Sequence, residues 1–177
     1  QIGKAMAEPK VCVSLEAITV EEMIDEATRA NIAGADYVEV RFDKLYLNKP
    51  EPITMVNDDG EEYSKMPPIE EWGVKDFEEI DVEQAIANLK EGIPVPVVFT
   101  ARAVREGGFF AGTEQERLQI LEQGIKSEVS FVDLELSIEK KSRDKIVKLA
   151  STSNCQVIAS IHETKATPSA EEIVTMV

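Results

Sequence analysis

Five short apolar runs, each followed by the signals of a helix start, constrain the fold of this sequence more than any other feature. The runs cover residues 11–15, 36–42, 95–101, 130–136 and 156–161. Nearly continuous apolar runs of this length are typical of parallel strands that are buried on both faces. A strand followed by a helix, repeated along the chain, predicts βαβ units. The sequence therefore predicts an α/β fold with a parallel sheet.

The predicted helices begin at capping residues and continue with apolar residues at helical spacing. The capping signals are the pairs Thr19 and Glu22, Thr113 and Glu116, and Ser169 and Glu172, together with Asp81. A further helix is predicted over residues 138–150, and Gly34 and Gly92 are predicted to end the first two helices. A closed eight-stranded barrel and an open doubly wound sheet both fit this order. No G-x-G-x-x-G pattern follows the first strand, which argues against a dinucleotide-binding fold.

The interval between the second and third strands is longer than one helix requires. Residues 57–60 (NDDG) are a turn signal, and residues 66–68 (MPP) interrupt regular structure. We therefore predict that residues 46–80 are an insertion that contains a small hairpin. The dense acidic residues between positions 70 and 83 are interpreted as a solvated face.

The charge balance excludes several classes of partner. The 177 residues include 34 acidic and 19 basic side chains, for a net charge of −15, which repels nucleic acid and anionic membrane surfaces. No apolar run reaches the roughly 18–20 residues that span a bilayer. Cys12 and Cys155 lie in apolar runs and are predicted to be buried thiols of a cytoplasmic protein. Neither a CxxC motif nor a cysteine–histidine cluster is present, so no metal site is predicted.

Polar residues lie at the carboxyl ends of all five predicted strands. They are Ser14 on the first strand, Glu39, Arg41 and Asp43 on the second, Thr100 and Arg102 on the third, Asp133 and Glu135 on the fourth, and Ser160 and His162 on the fifth. In parallel α/β folds the loops that converge at these ends form the functional site. Glu39 and Arg41 share a face and are expected to neutralise each other, because an unpaired buried charge is costly. A functional site and an ion-pair network that only fills the interior both fit this pattern.

His162 is the single histidine of the sequence. A lone histidine is often structural, but an imidazole at a strand end can transfer protons near neutral pH. We therefore treat His162 as a candidate proton-transfer group. Gly107 and Gly108 follow the third strand and predict a tight turn that bends the next loop back over the sheet edge.

Four segments at the ends of predicted strands resemble the motifs of the type I 3-dehydroquinate dehydratases. Residues 39–43 (EVRFD) are similar to the E-x-R-x-D strand of that family, and residues 100–108 (TARAVREGG) to its T-x-R-x-x-x-E-G-G segment. Residues 133–136 (DLEL) resemble its D-x-E-L strand, and residues 160–162 (SIH), followed by residues 167–169 (TPS), resemble its S-x-H and T-P-S segments. The motifs occur in the order found in the family.

The resemblance implies a (β/α)8 TIM barrel, of which residues 1–177 would form a single partial domain with about the first five βα units. It also implies the dehydration of a small-molecule substrate, 3-dehydroquinate, to 3-dehydroshikimate in the shikimate pathway of aromatic amino acid biosynthesis. That family uses no metal and no separate cofactor; a lysine forms a Schiff base with the substrate ketone. His162 matches the family's proton-transfer histidine and Glu106 the acidic residue that supports it. The substrate-contacting positions of the family match Ser14, Glu39, Arg41 and Arg102.

The Schiff-base lysine of the family has no counterpart in this sequence. It is expected on the strand after His162, and Lys165, in the loop directly after the histidine, does not match it. We therefore expect the sequence to be part of a longer enzyme and to be inactive alone.

Two alternative functions stay open at this stage. One is a dehydroquinase-like sensor domain that binds the same metabolites without converting them, and the other is a different Schiff-base barrel lyase such as a class I aldolase. The absence of a lysine on the sixth strand of the full-length protein would favour the sensor domain. A phosphate site after the seventh and eighth strands would favour the aldolase. The family resemblance also admits a homodimer.

Overall fold

The computed structural model describes residues 8–176, which form an α/β fold around one parallel sheet. The five strands of this sheet are β1 (Cys12–Ser14), β2 (Tyr37–Arg41), β3 (Val97–Thr100), β4 (Phe131–Glu135) and β5 (Gln156–Ser160). They lie side by side in the order of the chain, and every neighbouring pair is parallel. The predicted α/β fold with a parallel sheet is confirmed. Among the described residues the outer edges of β1 and β5 have no strand partner, so the sheet does not close into a barrel.

Five α-helices alternate with the strands and begin at or near the predicted capping residues. They are α1 (Val20–Ile32), α2 (Val82–Gly92), α3 (Glu114–Lys126), α4 (Lys140–Ala150) and α5 (Ala170–Met176). Thr113 and Glu116 form the predicted reciprocal capping box of α3. At α1 only half of the predicted box is present, since the Thr19 hydroxyl accepts a hydrogen bond from the backbone N–H of Glu22 over 3.2 Å. No helix within residues 8–176 is long and apolar enough to cross a membrane.

Gly34 follows α1 and Gly92 ends α2, and the two positions require glycine for different physical reasons. Gly34, just after α1, has a φ of +97°, a left-handed conformation that glycine adopts without strain. Gly92 is the last residue of α2, as predicted, and it does not have a positive φ. A Cβ atom at position 92 would lie 2.5 Å from Cδ1 of Ile24. This glycine therefore lets α1 and α2 approach each other closely.

The hydrophobic core fills the space between one face of the sheet and the helices. The sheet contributes Val38, Val40, Phe99, Val132 and Leu134, and the helices contribute Met23, Ala27, Ile86, Leu89, Ile120, Leu121, Ile125 and Ile146. Side chains alternate between the two faces of a strand. The residues between these apolar positions consequently lie on the opposite face, which the helices leave open.

Residues 46–80 form an appendage between β2 and α2. Leu47–Asn48 pairs with Gly73–Val74, and Ile53–Val56 pairs with Glu62–Lys65 in an exposed antiparallel hairpin. The single tryptophan, Trp72, lies in this appendage and donates its indole N–H to the carbonyl of Pro67 over 3.0 Å. The structure thus contains a hairpin in the predicted interval, while its status as an insertion relative to the family stays a prediction.

One of the two cysteines differs from its predicted environment. Cys155 is buried, and burial raises the pKa of its thiol to about 11. Cys12 was predicted to be buried but is exposed, because β1 is an edge strand of the described sheet and Cys12 lies on the face without helices.

Candidate active site

The carboxyl ends of the five strands bring polar side chains together on the open face of the sheet. The strand register places Ser14 beside Glu39, Arg41 beside Thr100, and Glu135 beside Ser160. Side chains at alternate positions of a strand share a face, so each strand presents its polar residues to the same side. This edge of the sheet is the candidate active site.

Arg41 and Asp43 form a buried ion pair with two hydrogen bonds. Nε and Nη2 of Arg41 donate to the two carboxylate oxygens of Asp43 over 3.0 and 2.8 Å. Asp43 also accepts hydrogen bonds from the backbone N–H groups of Arg102 (3.2 Å) and Phe109 (3.0 Å). Burial alone would lower the pKa of Arg41, but the adjacent carboxylate raises it, and the guanidinium stays charged. The pair therefore ties β2 to the loop after β3.

The Glu39 carboxylate links the first three strands. It accepts hydrogen bonds from the hydroxyls of Ser14 (2.7 Å) and Thr100 (2.8 Å) and from Nη2 of Arg102 (3.3 Å). The expectation that Arg41 neutralises Glu39 is therefore wrong. Arg41 pairs instead with Asp43, because the short 3-10 turn after β2 returns that carboxylate directly to the guanidinium.

Arg102 lies among three carboxylates of β2 and β4. Besides Glu39, its Nη2 donates to Oδ2 of Asp133 over 3.4 Å, and its Nε lies 3.9 Å from Oε1 of Glu135. Only 15% of the Arg102 side chain is exposed. The guanidinium is therefore held in place from both strands without a single dominant partner.

His162, two residues after β5, contacts Glu106 from the loop after β3. Its Nδ1 lies 3.1 Å from Oε2 of Glu106, and the Glu106 side chain is largely buried, with 9% exposed. Burial alone would raise the pKa of Glu106, but hydrogen bonds with Ser137 and His162 hold it below its ordinary value of 4.5. Glu106 is thus a carboxylate at neutral pH that orients the imidazole ring through its Nδ1 atom.

Gly107 and Gly108 form the predicted tight turn and carry Glu106 to the site. Gly107 has a φ of +76°. At Gly108 the backbone passes so close to Arg102 that a Cβ atom would lie 2.2 Å from the Arg102 carbonyl oxygen. The turn therefore packs the loop that carries Glu106 against Arg102, which donates a hydrogen bond to Glu39.

We predict that Gly108→Ala destabilises the protein by about 1–3 kcal/mol, the usual cost of forcing extra volume into a packed contact. The added methyl group meets backbone atoms of Arg102, which cannot move aside as a flexible side chain would. Urea unfolding followed by circular dichroism measures the effect. Gly73→Ala is the matched control, since its Cβ would lie 3.6 Å from Cβ of Asn48, an ordinary contact. Equal unfolding midpoints for the two variants would contradict this account.

Arg117 lies on α3 and contacts Glu135 of the site, but it was not among the candidate residues chosen from the sequence. It is only 1% exposed in α3, and its Nη1 donates to the carbonyl of Ala101 over 2.8 Å. The same nitrogen lies 2.8 Å from Oε2 of Glu135, in an ion pair that does not meet the directional requirement of a hydrogen bond. Two further hydrogen bonds, both 2.9 Å, run to Glu114. Arg117 thereby neutralises a buried carboxylate of β4.

We predict that Glu114 makes the stability of the protein dependent on pH. Burial alone would raise its pKa, but hydrogen bonds from Arg117 and Arg105 hold the pKa below 4.5. Because the folded-state pKa is depressed, the carboxylate stabilises the fold above about pH 4.5, and this contribution is lost as the pH falls through the lowered value. The difference in unfolding free energy between the wild-type protein and Glu114→Gln should therefore shrink below about pH 4.5. A difference that is constant from pH 3 to pH 7 would contradict this assignment.

The open face of the sheet contains a concave cavity of about 500 Å³. It is lined by Lys10, Cys12, Tyr37, Glu39, Val98, Arg102, Phe131, Asp133 and Ile158. The apolar and aromatic residues form its floor, and Glu39, Arg102 and Asp133 provide charged groups, a combination typical of small-molecule sites.

Glu106, Glu135 and His162 also have the side-chain types of a divalent-cation site. One ligand atom of each lies within 4.8 Å of the others. Two guanidinium groups oppose a further cation here, since Arg117 lies 2.8 Å and Arg102 3.9 Å from the Glu135 carboxylate. The two guanidinium groups therefore make this cluster unfavourable for a divalent cation.

The structure brings the six residues selected from the sequence into one connected group, which comprises Ser14, Glu39, Arg41, Arg102, Glu106 and His162. Arg41 joins this group through Asp43, and the His162–Glu106 pair joins it through Glu135. The linking residues Asp43, Asp133 and Glu135 belong to the motifs that resemble the family but had not been selected as site residues.

The chain matches the family model described as type I 3-dehydroquinase over residues 11–177. The chain belongs to this family. Among curated members, 3-dehydroquinate dehydratase of Methanosarcina acetivorans is 30% identical over 175 residues, which cover 98% of this chain and 60% of the relative. The enzyme of Methanosarcina barkeri is 28% identical over 177 residues, with 99% and 60% covered. The chain thus spans about 60% of the length of these two relatives.

Two solved structures of the family share the fold of the described residues. Type I 3-dehydroquinate dehydratase from Clostridium difficile, solved with covalently modified comenic acid, superposes with a TM-score of 0.71 at 24% identity and covers 96% of this chain and 57% of its own. The enzyme from Enterococcus faecalis gives a TM-score of 0.71 at 24% identity, with 96% and 60% covered. At these identities the likeness establishes the dehydroquinase fold alone.

Proposed function

We propose that this chain is the proton-transfer and substrate-binding part of a 3-dehydroquinate dehydratase, a lyase that converts 3-dehydroquinate to 3-dehydroshikimate through a lysine Schiff base. The observation that carries the proposal is the contact of 3.1 Å between Nδ1 of His162 and the Glu106 carboxylate, at the strand end where the family motifs converge. Membership in the dehydroquinase family supports the reaction class.

The residue types around the cavity suit a polyhydroxylated carboxylic acid. Arg102 remains charged and presents several N–H donors, and Glu39 and Ser14 offer oxygens that bind hydroxyl groups. We assign substrate contacts to these three residues and to Arg41. Because Arg41 and Arg102 are already held by carboxylates, their orientation is set before a ligand arrives.

The reaction needs a group that removes a proton next to the substrate carbonyl and later protonates the departing hydroxyl. Condensation of a lysine amine with the ketone releases water and gives an iminium ion, which makes the neighbouring C–H bond more acidic. Nε2 of His162 then takes this proton and returns it to the hydroxyl, which leaves as a second water molecule. Hydrolysis of the remaining iminium consumes one water molecule, releases 3-dehydroshikimate and restores the lysine amine, so that one water is lost overall. We assign the Schiff-base amine to the strand that follows β5 in the family, and to no lysine within residues 8–176.

A borohydride trap on the native gene product tests the proposal. The protein is incubated with 3-dehydroquinate and reduced, and mass spectrometry of the intact protein and its peptides locates the adduct. A reduced adduct on a lysine beyond β5, together with turnover of 3-dehydroquinate, is the expected result. Lys165→Ala serves as the control, since this exposed loop residue should leave both the adduct and turnover unchanged.

The opposite outcome separates the enzyme from a binding protein. Binding of 3-dehydroquinate without adduct or turnover would favour the metabolite sensor, and an adduct only with phosphorylated aldehydes or ketones would favour a class I aldolase. A cytoplasmic location, a homodimer and closure of an eight-stranded barrel stay predictions alongside this proposal.

A further inference from the structure

Glu135 lies against the His162–Glu106 pair but has no part in the reaction proposed above. Only 2% of its side chain is exposed, and one atom each from the Glu106 carboxylate, the Glu135 carboxylate and the His162 ring lies within 4.8 Å of the other two. We propose that Glu135 is a second positioning residue that, together with Glu106, stabilises the protonated imidazole of His162. This inference rests on the proton-transfer role proposed for His162.

A carboxylate this deeply buried requires a positive partner to remain ionised. Burial, followed by the charges of Glu106 and Asp133, raises the pKa of Glu135, and the guanidinium of Arg117 opposes these effects. Arg117 is itself fixed by the Ala101 carbonyl and by Glu114. The helix α3 therefore supplies the positive charge that opposes protonation of Glu135 beside the imidazole.

The charged groups around Glu135 come from several elements. They are Arg117 on α3, Arg102, Arg105 and Glu106 from the loop after β3, Asp133 on the same strand, and His162 after β5. Neither carboxylate oxygen of Glu135 has a hydrogen-bond partner in the described structure. The interaction with His162 is therefore one of charge, which acts effectively at distances of about 4–6 Å.

The consequence concerns the moment when His162 accepts a proton. The positive charge then forms next to Glu106, which touches the ring, and close to Glu135, which does not. Two carboxylates favour the imidazolium more than Glu106 alone. Removal of the Glu135 charge should consequently make His162 release its proton more readily.

This effect is measurable by an NMR titration of the native gene product. The imidazole C–H signals of His162 are identified as those that a His162→Gln variant lacks. We expect Glu135→Gln to move the midpoint of this titration to lower pH by about half a unit or more, the size of shift that a nearby charge produces in a partly buried site. Glu122→Gln is the control, because it removes a carboxylate of α3 that pairs with Lys145 of α4 and not with a residue of the site, and its midpoint should equal that of the wild-type protein.

A second variant covers the case in which glutamine at position 135 prevents folding. Glu135→Asp keeps the charge but withdraws it by one methylene group, and it should move the midpoint in the same direction by a smaller amount. An unchanged midpoint in whichever of these variants retains native amide dispersion overturns the proposal. The titration requires no turnover, so its failure is distinguishable from failure of the proposed dehydratase activity.

Discussion

Replacing His162 with alanine is expected to reduce kcat for 3-dehydroquinate about 10²–10⁴-fold in the native gene product, the range that a positioned general acid–base group contributes. The substitution removes the ring whose Nδ1 Glu106 holds at 3.1 Å, and with it the Nε2 atom to which we assign proton transfer. Steady-state kinetics at saturating substrate measure the effect. The Schiff base should still form, so the borohydride adduct should persist in this variant.

The matched control for this prediction is Glu163→Gln, the exposed neighbour of the histidine. It perturbs the same loop without removing a group of the site and should retain wild-type kcat. A His162→Ala enzyme within tenfold of the wild-type rate would remove His162 from the reaction, and the proton transfer would then have to be assigned to another group of the site.

Asp43→Ala is expected to lower the free energy of unfolding by about 3–5 kcal/mol, the usual cost of breaking a buried ion pair. The Asp43 carboxylate is fully buried and accepts four hydrogen bonds, two from Arg41 and one each from the backbone N–H groups of Arg102 and Phe109. Its removal leaves a buried guanidinium without its partner. Urea unfolding followed by circular dichroism measures the change.

An exposed ion pair provides the contrast for Asp43. Asp144 pairs with Lys140 over 2.7 Å on α4, with 64% and 79% of the two side chains exposed. Asp144→Ala should therefore change stability by no more than about 1 kcal/mol. If the two alanine variants unfold at similar urea concentrations, the Arg41–Asp43 pair does not stabilise the contact between β2 and the loop after β3.

The parallel sheet was predictable because its signals are local. Apolar runs of strand length and capping residues such as Thr113 need no knowledge of distant contacts. Polar side chains at the ends of the buried strands indicated where the candidate site would lie, and the resemblance to the family selected its residues, including Glu106 in the loop after β3. The pairing of these side chains was not predictable. Arg41 contacts Asp43 rather than Glu39 because of a turn geometry that the sequence pattern does not specify.

The helical periodicity of α3 was sufficient to predict that Arg117 is buried. It lies at the helical spacing of the buried residues Ile120, Leu121 and Gly124, so it occupies the apolar stripe of α3. A charged residue in such a stripe needs a buried partner. That partner, Glu135, lies on a strand 18 positions away in the sequence, and only the packing of α3 against the sheet identifies it. Cys12 was misjudged for a related reason, since an apolar run does not reveal that a strand is at an edge.

The position of Trp72 determines what fluorescence can report about this protein. As the single tryptophan of these 177 residues, it emits from the appendage of residues 46–80, whereas His162, their single histidine, reports from the strand ends. An unfolding curve recorded by tryptophan emission therefore follows the appendage, and one recorded by the imidazole resonances follows the sheet. Coincident curves would show that the two parts unfold as one cooperative unit, and separate curves would show that the appendage unfolds independently.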